Sequence, residues 1–178
     1  MPTYVAFLRA INLGATRKFP KDAIKAAAEA AGCTDVETYI NTGNLRVTTG
    51  RRSHRTVEQA LEGAFLADRG FEVPTIAFTP AELRGIVADA DEFEADVRGA
   101  RQYVSLLKEA PAKAAADRLG SHAAEGEHVR VRGRAVHMIL EQESYQQATL
   151  TNDLVERRAG VATNRNIRVL RELAARWC

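Results

Sequence analysis

The stretch at residues 36–47 constrains the fold more than any other part of the sequence. Two runs of β-prone residues, 37–40 and 45–48, flank the tetrapeptide Asn41-Thr42-Gly43-Asn44. Gly43 can adopt a positive φ without steric cost, and asparagine tolerates the same conformation, so the tetrapeptide predicts a tight reversal. We therefore expect a β-hairpin here, with a turn that is dense in amide and hydroxyl groups.

The apolar run at residues 3–8 predicts the first strand of the chain. Successive side chains on a strand point to opposite faces, so Val5 and Phe7 face one way and Tyr4 faces the other. Both faces carry apolar side chains. The strand is therefore expected to be buried on both sides.

Helical spacing of apolar residues and turn signals predict the remaining elements. The predicted helices cover residues 20–32, 56–68, 81–90, 111–119, 151–158 and 164–176, and the further strands cover residues 72–79, 101–107, 127–132 and 135–140. The acidic residues 91–96 predict a solvated loop after the third helix.

The order of these elements predicts the fold class. Residues 1–79 follow the order β-α-β-β-α-β, the split β-α-β or ferredoxin-like plan, and residues 80–178 follow the order α-β-α-β-β-α-α, without a closing strand. We expect an α+β protein made of two ferredoxin-like subdomains packed together. Right-handed crossovers place the first and third strands side by side, which brings the loop at residues 9–18 close to the Gly43 turn.

Charge and cysteine content limit the class of protein. The net charge of +2 is too small to indicate a nucleic-acid-binding protein by itself. No apolar run approaches the roughly 20 residues that span a bilayer, and no signal-peptide pattern is present, so we expect a cytoplasmic protein without membrane contact. The two cysteines, Cys33 and Cys178, belong to no metal-binding pattern, and Cys33 is expected to be a buried small residue.

The loop at residues 9–18 and the Gly43 turn supply the first candidate ligand-binding residues. Arg9, Asn12 and Lys18 precede a helix that starts near Pro20, and free N–H groups at a helix start favour an anion when cations lie nearby. The turn region adds Tyr39, Thr42 and Asn44. The alternative is that these asparagine and threonine side chains only hydrogen-bond their own backbone.

A second group of candidates precedes the last predicted helix. Thr163 is the expected N-cap of that helix. The charge of Arg165 is unfavourable at the positive end of a helix, so an anion or a carboxylate partner is expected beside it. Together with Asn166, these residues complete a predicted pocket for a small anionic or polar ligand.

Three sequence phrases resemble one bacterial family. They are Tyr4-Val5-Ala6-Phe7-Leu8-Arg9-Ala10-Ile11-Asn12-Leu13-Gly14, then Val36-Glu37-Thr38-Tyr39-Ile40-Asn41-Thr42-Gly43-Asn44, and Ala162-Thr163-Asn164-Arg165-Asn166. In this order they resemble the domain-of-unknown-function family 1697, from the first strand to the last helix. Ala10, Thr42 and Ile167 depart from the glycine, serine and tryptophan that members typically show. The resemblance implies an α+β fold and a cytoplasmic protein, and it implies no activity.

The sequence leaves three functional hypotheses open. The first is a protein that binds a small anionic or polar ligand, with or without enzymatic activity, although no nucleophile–base pair, metal spacing or glycine-rich cofactor loop is present. The second is a nucleic-acid-binding module, although the predicted third strand lacks the aromatic residues that stack on bases. The third is a scaffold or oligomerisation protein. The four histidines, His54, His122, His128 and His137, are expected to be surface or packed residues.

Overall fold

The computed structural model describes residues 1–96, 101–141 and 147–178 as six helices and eight strands. The strands are β1 (Thr3–Leu8), β2 (Thr34–Tyr39), β3 (Asn44–Thr48), β4 (Thr75–Phe78), β5 (Arg101–Leu107), β6 (Glu127–Arg132), β7 (Ala135–Leu140) and β8 (Ala162–Asn166). The helices are α1 (Lys21–Ala30), α2 (His54–Arg69), α3 (Pro80–Asp96), α4 (Lys113–Gly120), α5 (Asn152–Ala159) and α6 (Ile167–Trp177).

The strands form two four-stranded antiparallel sheets, with the orders β2-β3-β1-β4 and β6-β7-β5-β8. The chain divides into two units: the first is Met1–Leu83 with Arg176–Cys178, and the second is Arg84–Ala175. The predicted α+β class is confirmed, and so is the expected pairing of the first strand with the third.

The first sheet is organised around the predicted hairpin. Gly43 has φ +77°, and the N–H of Leu8 donates to the Gly43 carbonyl at 2.8 Å. A Cβ atom at Gly43 would lie 2.7 Å from Cβ of Leu8 and 2.8 Å from Cδ1 of Ile11. This turn therefore requires glycine for both its conformation and its close packing.

Strand β1 is buried on both faces, as its sequence predicts. Tyr4, Ala6 and Leu8 join the core formed with α1 and α2, which includes Ile24 and Phe65. On the opposite face Val5 and Phe7 are also fully buried, and the Phe7 ring meets the Phe78 ring edge to face at 6.2 Å. Burial of both faces explains why apolar side chains occupy both faces of this strand.

Two predictions for the second half of the chain are wrong. The acidic residues 91–96 are not a loop, because α3 continues to Asp96 and buries Ala90 and Phe93. Residues 162–166 form strand β8 instead of beginning the last helix, and β8 pairs with β5 from Tyr103↔Asn166 to Leu107↔Ala162. The second unit therefore has the closing strand that the sequence analysis left out.

Candidate functional site

The loop at residues 9–18 lies against the Gly43 turn, and Asn12 connects the two segments. Its Nδ2 donates to the carbonyls of Asn41 at 2.8 Å and Phe19 at 3.1 Å, and its Oδ1 accepts from the N–H of Phe19 at 2.8 Å. The predicted convergence is therefore present. The Asn12 amide serves to hold the loop, the turn and the approach to α1 together.

The other candidates of the first unit also have structural contacts. Asn44 is buried, and its Nδ2 donates to the Tyr39 carbonyl at 3.1 Å and to Oγ1 of Thr42 at 2.9 Å. The Tyr39 ring packs against Trp177, with the ring centroids 6.5 Å apart. Arg9 is half-buried and its N–H donates to the Pro74 carbonyl, whereas Lys18 is exposed.

The candidates near α6 are placed differently from the prediction. Thr163 is not a helix cap, because it lies in β8 opposite Leu106. Arg165 also lies in β8, not at a helix start, and its Nη1 donates to Oγ1 of Thr163 at 2.9 Å. Burial lowers the pKa of Arg165 to about 10, so the guanidinium stays protonated at neutral pH. The helix cap is Asn166, whose Oδ1 accepts from the N–H of Arg168 at 2.9 Å.

A cavity of about 430 Å³ opens in the second unit beside the start of α6. It lies where β5 begins, and residues of α3, β5, β8 and α6 contribute to its wall. The lining residues are Glu94, Arg101, Gln102, Tyr103, Asn166, Ile167, Arg168 and Arg171. Of the residues proposed from sequence, Asn166 is the one that lines this cavity.

The arginines of the cavity differ in their partners. Arg171 is neutralised by α3, because its guanidinium donates to Oδ1 of Asp91 at 2.6 Å and also to Glu94. Within the described part of the chain, Arg101 and Arg168 form no ion pair. The cavity therefore presents two guanidinium groups that have no ion pair among the described residues, beside the positive end of a helix, and this combination attracts an anion.

Gln102 lines the cavity and has a buried side-chain amide. Its side chain is almost fully buried, and Nε2 donates to the Ala90 carbonyl at 2.8 Å. This contact fixes the orientation of the amide because a carbonyl oxygen can only accept. Among the described residues, Oε1 of Gln102 has no hydrogen-bond partner.

Other potential sites are limited in the described residues. No group of three or more His, Cys, Asp or Glu side chains in the described ranges could hold a metal ion. The described helices include none with the length and apolar character needed to cross a bilayer. Cys33 is buried, as predicted, and burial raises the pKa of its thiol.

Comparison with known proteins identifies the family. A family model described as "Protein of unknown function (DUF1697)" matches residues 1–137. The chain belongs to this family. It is also similar to a solved structure, that of the conserved bacterial protein SP0830 from Streptococcus pneumoniae, at 16% identity and a TM-score of 0.78. The similarity covers 98% of this chain and 97% of the other, and at this identity it shows the fold alone. No curated protein matches the sequence.

The sequence analysis missed most of the cavity in this DUF1697 member. Glu94, Arg101 and Tyr103 lie within the matched residues, whereas Arg168 and Arg171 lie beyond them. A partial signal was present: Arg168 and Arg171 lie off the apolar stripe of α6, so their side chains were free to face a polar site. Nothing in the sequence indicated that the first residue of β5 would meet the first turn of α6.

Proposed function

We propose that this DUF1697 member is a cytoplasmic protein that binds a small anion in the cavity at the start of α6. The observation that carries the proposal is the convergence of Arg101, Arg168 and the first turn of α6 on one cavity. Guanidinium groups bind carboxylate and phosphate oxygens through paired hydrogen bonds. The first turn of a helix adds N–H donors and a favourable dipole for the same charge.

The rest of the cavity wall favours an anion that also carries a hydrogen-bond donor. The carboxylate of Glu94 lines the cavity as an acceptor. A ligand with only acceptor oxygens would place like charges together at Glu94, which is unfavourable. Monohydrogen phosphate and hydroxylated organic acids offer both an oxyanion and a donor.

The nucleic-acid hypothesis has less support in the first sheet. Recognition of single-stranded RNA by a sheet of this kind requires exposed aromatic side chains on the central strands. The aromatic residues of β1, Tyr4 and Phe7, are buried, and β3 has none.

Calorimetric titration with inorganic phosphate at constant ionic strength tests the proposal. We expect Arg101→Gln and Arg168→Gln each to weaken phosphate binding about tenfold, because each removes a charge-assisted hydrogen bond. Arg157→Gln, an exposed arginine of α5 outside the cavity lining, is the matched control and should bind as the wild type does. Thermal unfolding of each variant checks that the fold is intact.

Two results of this titration would contradict the proposal. One is absence of phosphate binding by the wild type, and the other is equal binding by wild type, Arg101→Gln and Arg168→Gln.

Lys18→Gln tests the separate sequence-based prediction for the loop at residues 9–18. Weaker phosphate binding by that variant is expected if the loop contributes to an anion site.

A further inference from the structure

A second cationic pocket lies between α4 and α5, and it is outside the cavity proposed above. It is an open cavity of about 590 Å³ lined by Arg118, Ser121, His122, Ala123 and Arg158. The lining contains two guanidinium groups, an imidazole and a hydroxyl group, and it contains no carboxylate. Within the described residues, neither guanidinium has a carboxylate partner.

A buried carboxylate behind the pocket fixes His122. Nε2 of His122 lies 2.7 Å from Oε2 of Glu127, and the Glu127 side chain is almost completely buried. Oε2 also accepts from the N–H of Leu150 and the hydroxyl of Thr149, each at 2.8 Å. Burial alone would raise the pKa of Glu127, but the hydrogen bonds from His122, Thr149 and Leu150 hold it below its usual value. Glu127 is therefore ionised at neutral pH and accepts a proton-bearing Nε2.

This contact determines what the rest of the ring can do. Because Nε2 carries the hydrogen that Glu127 accepts, Nδ1 of a neutral His122 is an acceptor. Nδ1 makes no hydrogen bond within the described residues, so it is the ring nitrogen available to the pocket. The His122 ring therefore presents this nitrogen to the pocket beside the two guanidinium groups.

Carbonyl groups at the end of α4 are already hydrogen-bonded, which weakens their repulsion of an anion here. The Arg118 carbonyl accepts from Oγ of Ser121 at 3.2 Å and from Nη1 of Arg158 at 3.1 Å. The Leu119 carbonyl accepts from the N–H of His122 at 3.0 Å. Capping uses one of the five N–H donors of Arg158, so most of its hydrogen-bonding capacity remains.

We propose that Arg118 and Arg158 bind a phosphate-class oxyanion, with the Ser121 hydroxyl and the His122 ring at the wall of the same pocket. Guanidinium groups bind such oxygens through paired hydrogen bonds. Arg118 from α4 and Arg158 from α5 both line the pocket, and the Glu127 carboxylate behind His122 is already bonded by Thr149 and Leu150.

Titration with inorganic sulfate tests this proposal, because sulfate has the geometry of phosphate and does not itself titrate near neutral pH. The protein carries Arg101→Gln and Arg168→Gln, so that the cavity beside α6 is disabled. Calorimetry at pH 7 measures the affinity and the number of sulfate ions bound. We expect one sulfate ion to bind per chain in this background.

Variants assign the effect to the pocket. Arg118→Gln and Arg158→Gln should each weaken sulfate binding about tenfold. Arg157→Gln, the neighbour of Arg158 on α5, is the control and should leave sulfate binding unchanged. Because Arg158 also caps α4, Arg118→Gln and Arg158→Lys keep the test valid if Arg158→Gln fails to fold.

The outcome separates this site from the cavity beside α6. Loss of sulfate binding in the Arg101→Gln, Arg168→Gln background would overturn the inference and leave the proposed function standing. Sulfate binding by Arg118→Gln as tight as binding by its parent protein would also overturn it. Parallel titrations compare the affinity for inorganic phosphate with the affinity for glycerol 3-phosphate, and the ligand that binds more tightly indicates the source of the oxyanion. Failure of both to bind contradicts the proposal.

Discussion

The imidazole of His137 is completely buried in the second unit. It lies on β7 between Val104 of β5 and Arg130 of β6, it has no exposed surface, and neither ring nitrogen has a hydrogen-bond partner among the described residues. Burial lowers its pKa from 6.5 to about 4, with Asp89 opposing the shift and Arg130 and Arg132 adding to it. The native protein therefore holds this ring neutral.

His137 makes stability depend on pH in a defined window. Between pH 6.5 and about 4 the unfolded chain binds a proton at this residue and the native chain does not. Stability from this group is complete above pH 6.5, and it is lost as the pH falls towards 4. The loss is about 2 kcal/mol between pH 7.5 and pH 5.

The variant His137→Leu should lack the part of the stability loss between pH 7.5 and pH 5 that comes from His137. It should also be more stable than the wild type by about 1 kcal/mol at pH 7.5, because an unsatisfied buried polar group is replaced by an apolar one. Urea unfolding at pH 7.5 and pH 5 measures both effects. His128→Gln, at a half-exposed histidine paired with Glu141, is the control. If the stability of His137→Leu falls between pH 7.5 and pH 5 as much as that of the wild type, His137 is not the group that titrates.

Each sheet has an edge strand whose outward backbone groups are bonded by side chains of the neighbouring helix. On α2, Oε1 of Glu58 accepts from the N–H of Ala77, and Oε1 of Glu62 accepts from the N–H of Thr75, both at 2.8 Å. On α5, Oε1 of Glu156 accepts from the N–H of Ala162 at 3.1 Å. This arrangement satisfies β4 and β8 where no further strand pairs with them.

The carboxylate of Glu58 should therefore act through its hydrogen bond and not through its charge. Glu58→Leu leaves the N–H of Ala77 buried without an acceptor and should cost about 2 kcal/mol of stability. Glu58→Gln retains an acceptor oxygen and should cost less than about 1 kcal/mol. Urea unfolding and the hydrogen exchange of the Ala77 amide measure the difference. Equal destabilisation by Leu and Gln would show that the charge matters instead.

The sequence predicted helices and strands correctly where the spacing of apolar residues or the turn residues determined the local structure. Strand β1 and the hairpin at Gly43 follow from local pattern and turn chemistry, and both are present. Strand β8 was missed because Thr163-Asn164-Arg165-Asn166 has the composition of a helix cap, and pairing with β5 makes it a strand. The end of α3 was missed because its acidic residues suggested a loop, although Ile86, Ala90 and Phe93 keep helical spacing on its buried side.

At the scale of the whole molecule, both units repeat one strand order without a repeated sequence. The closing strands β4 and β8 occupy equivalent edges, and the second unit is complete only because β8 is present. The cavity beside α6 depends on that strand, because β8 carries Asn166 to the start of α6. Without β8, the sequence could not predict this cavity. The sequence phrase at residues 162–166 nevertheless identified Asn166 as a candidate.

The end of the chain belongs to the first unit and supports its hairpin. Trp177 is buried, and its Nε1 donates to Oε2 of Glu37 at 3.0 Å. The Tyr39 ring lies between this indole and the guanidinium of Arg176, which is 4.9 Å from the ring centroid. The last residues therefore cover the strand β2 and the start of the Gly43 turn.

Trp177→Ala should loosen this hairpin. The loss of a buried indole costs about 3 kcal/mol, and we expect faster hydrogen exchange across residues 34–48. Trp177→Phe retains a ring against Tyr39 and loses only the bond to Glu37, whose side chain is exposed and also paired with Arg46, so it should cost about 1 kcal/mol or less. Unchanged exchange in the hairpin of Trp177→Ala would mean that the end of the chain does not stabilise it.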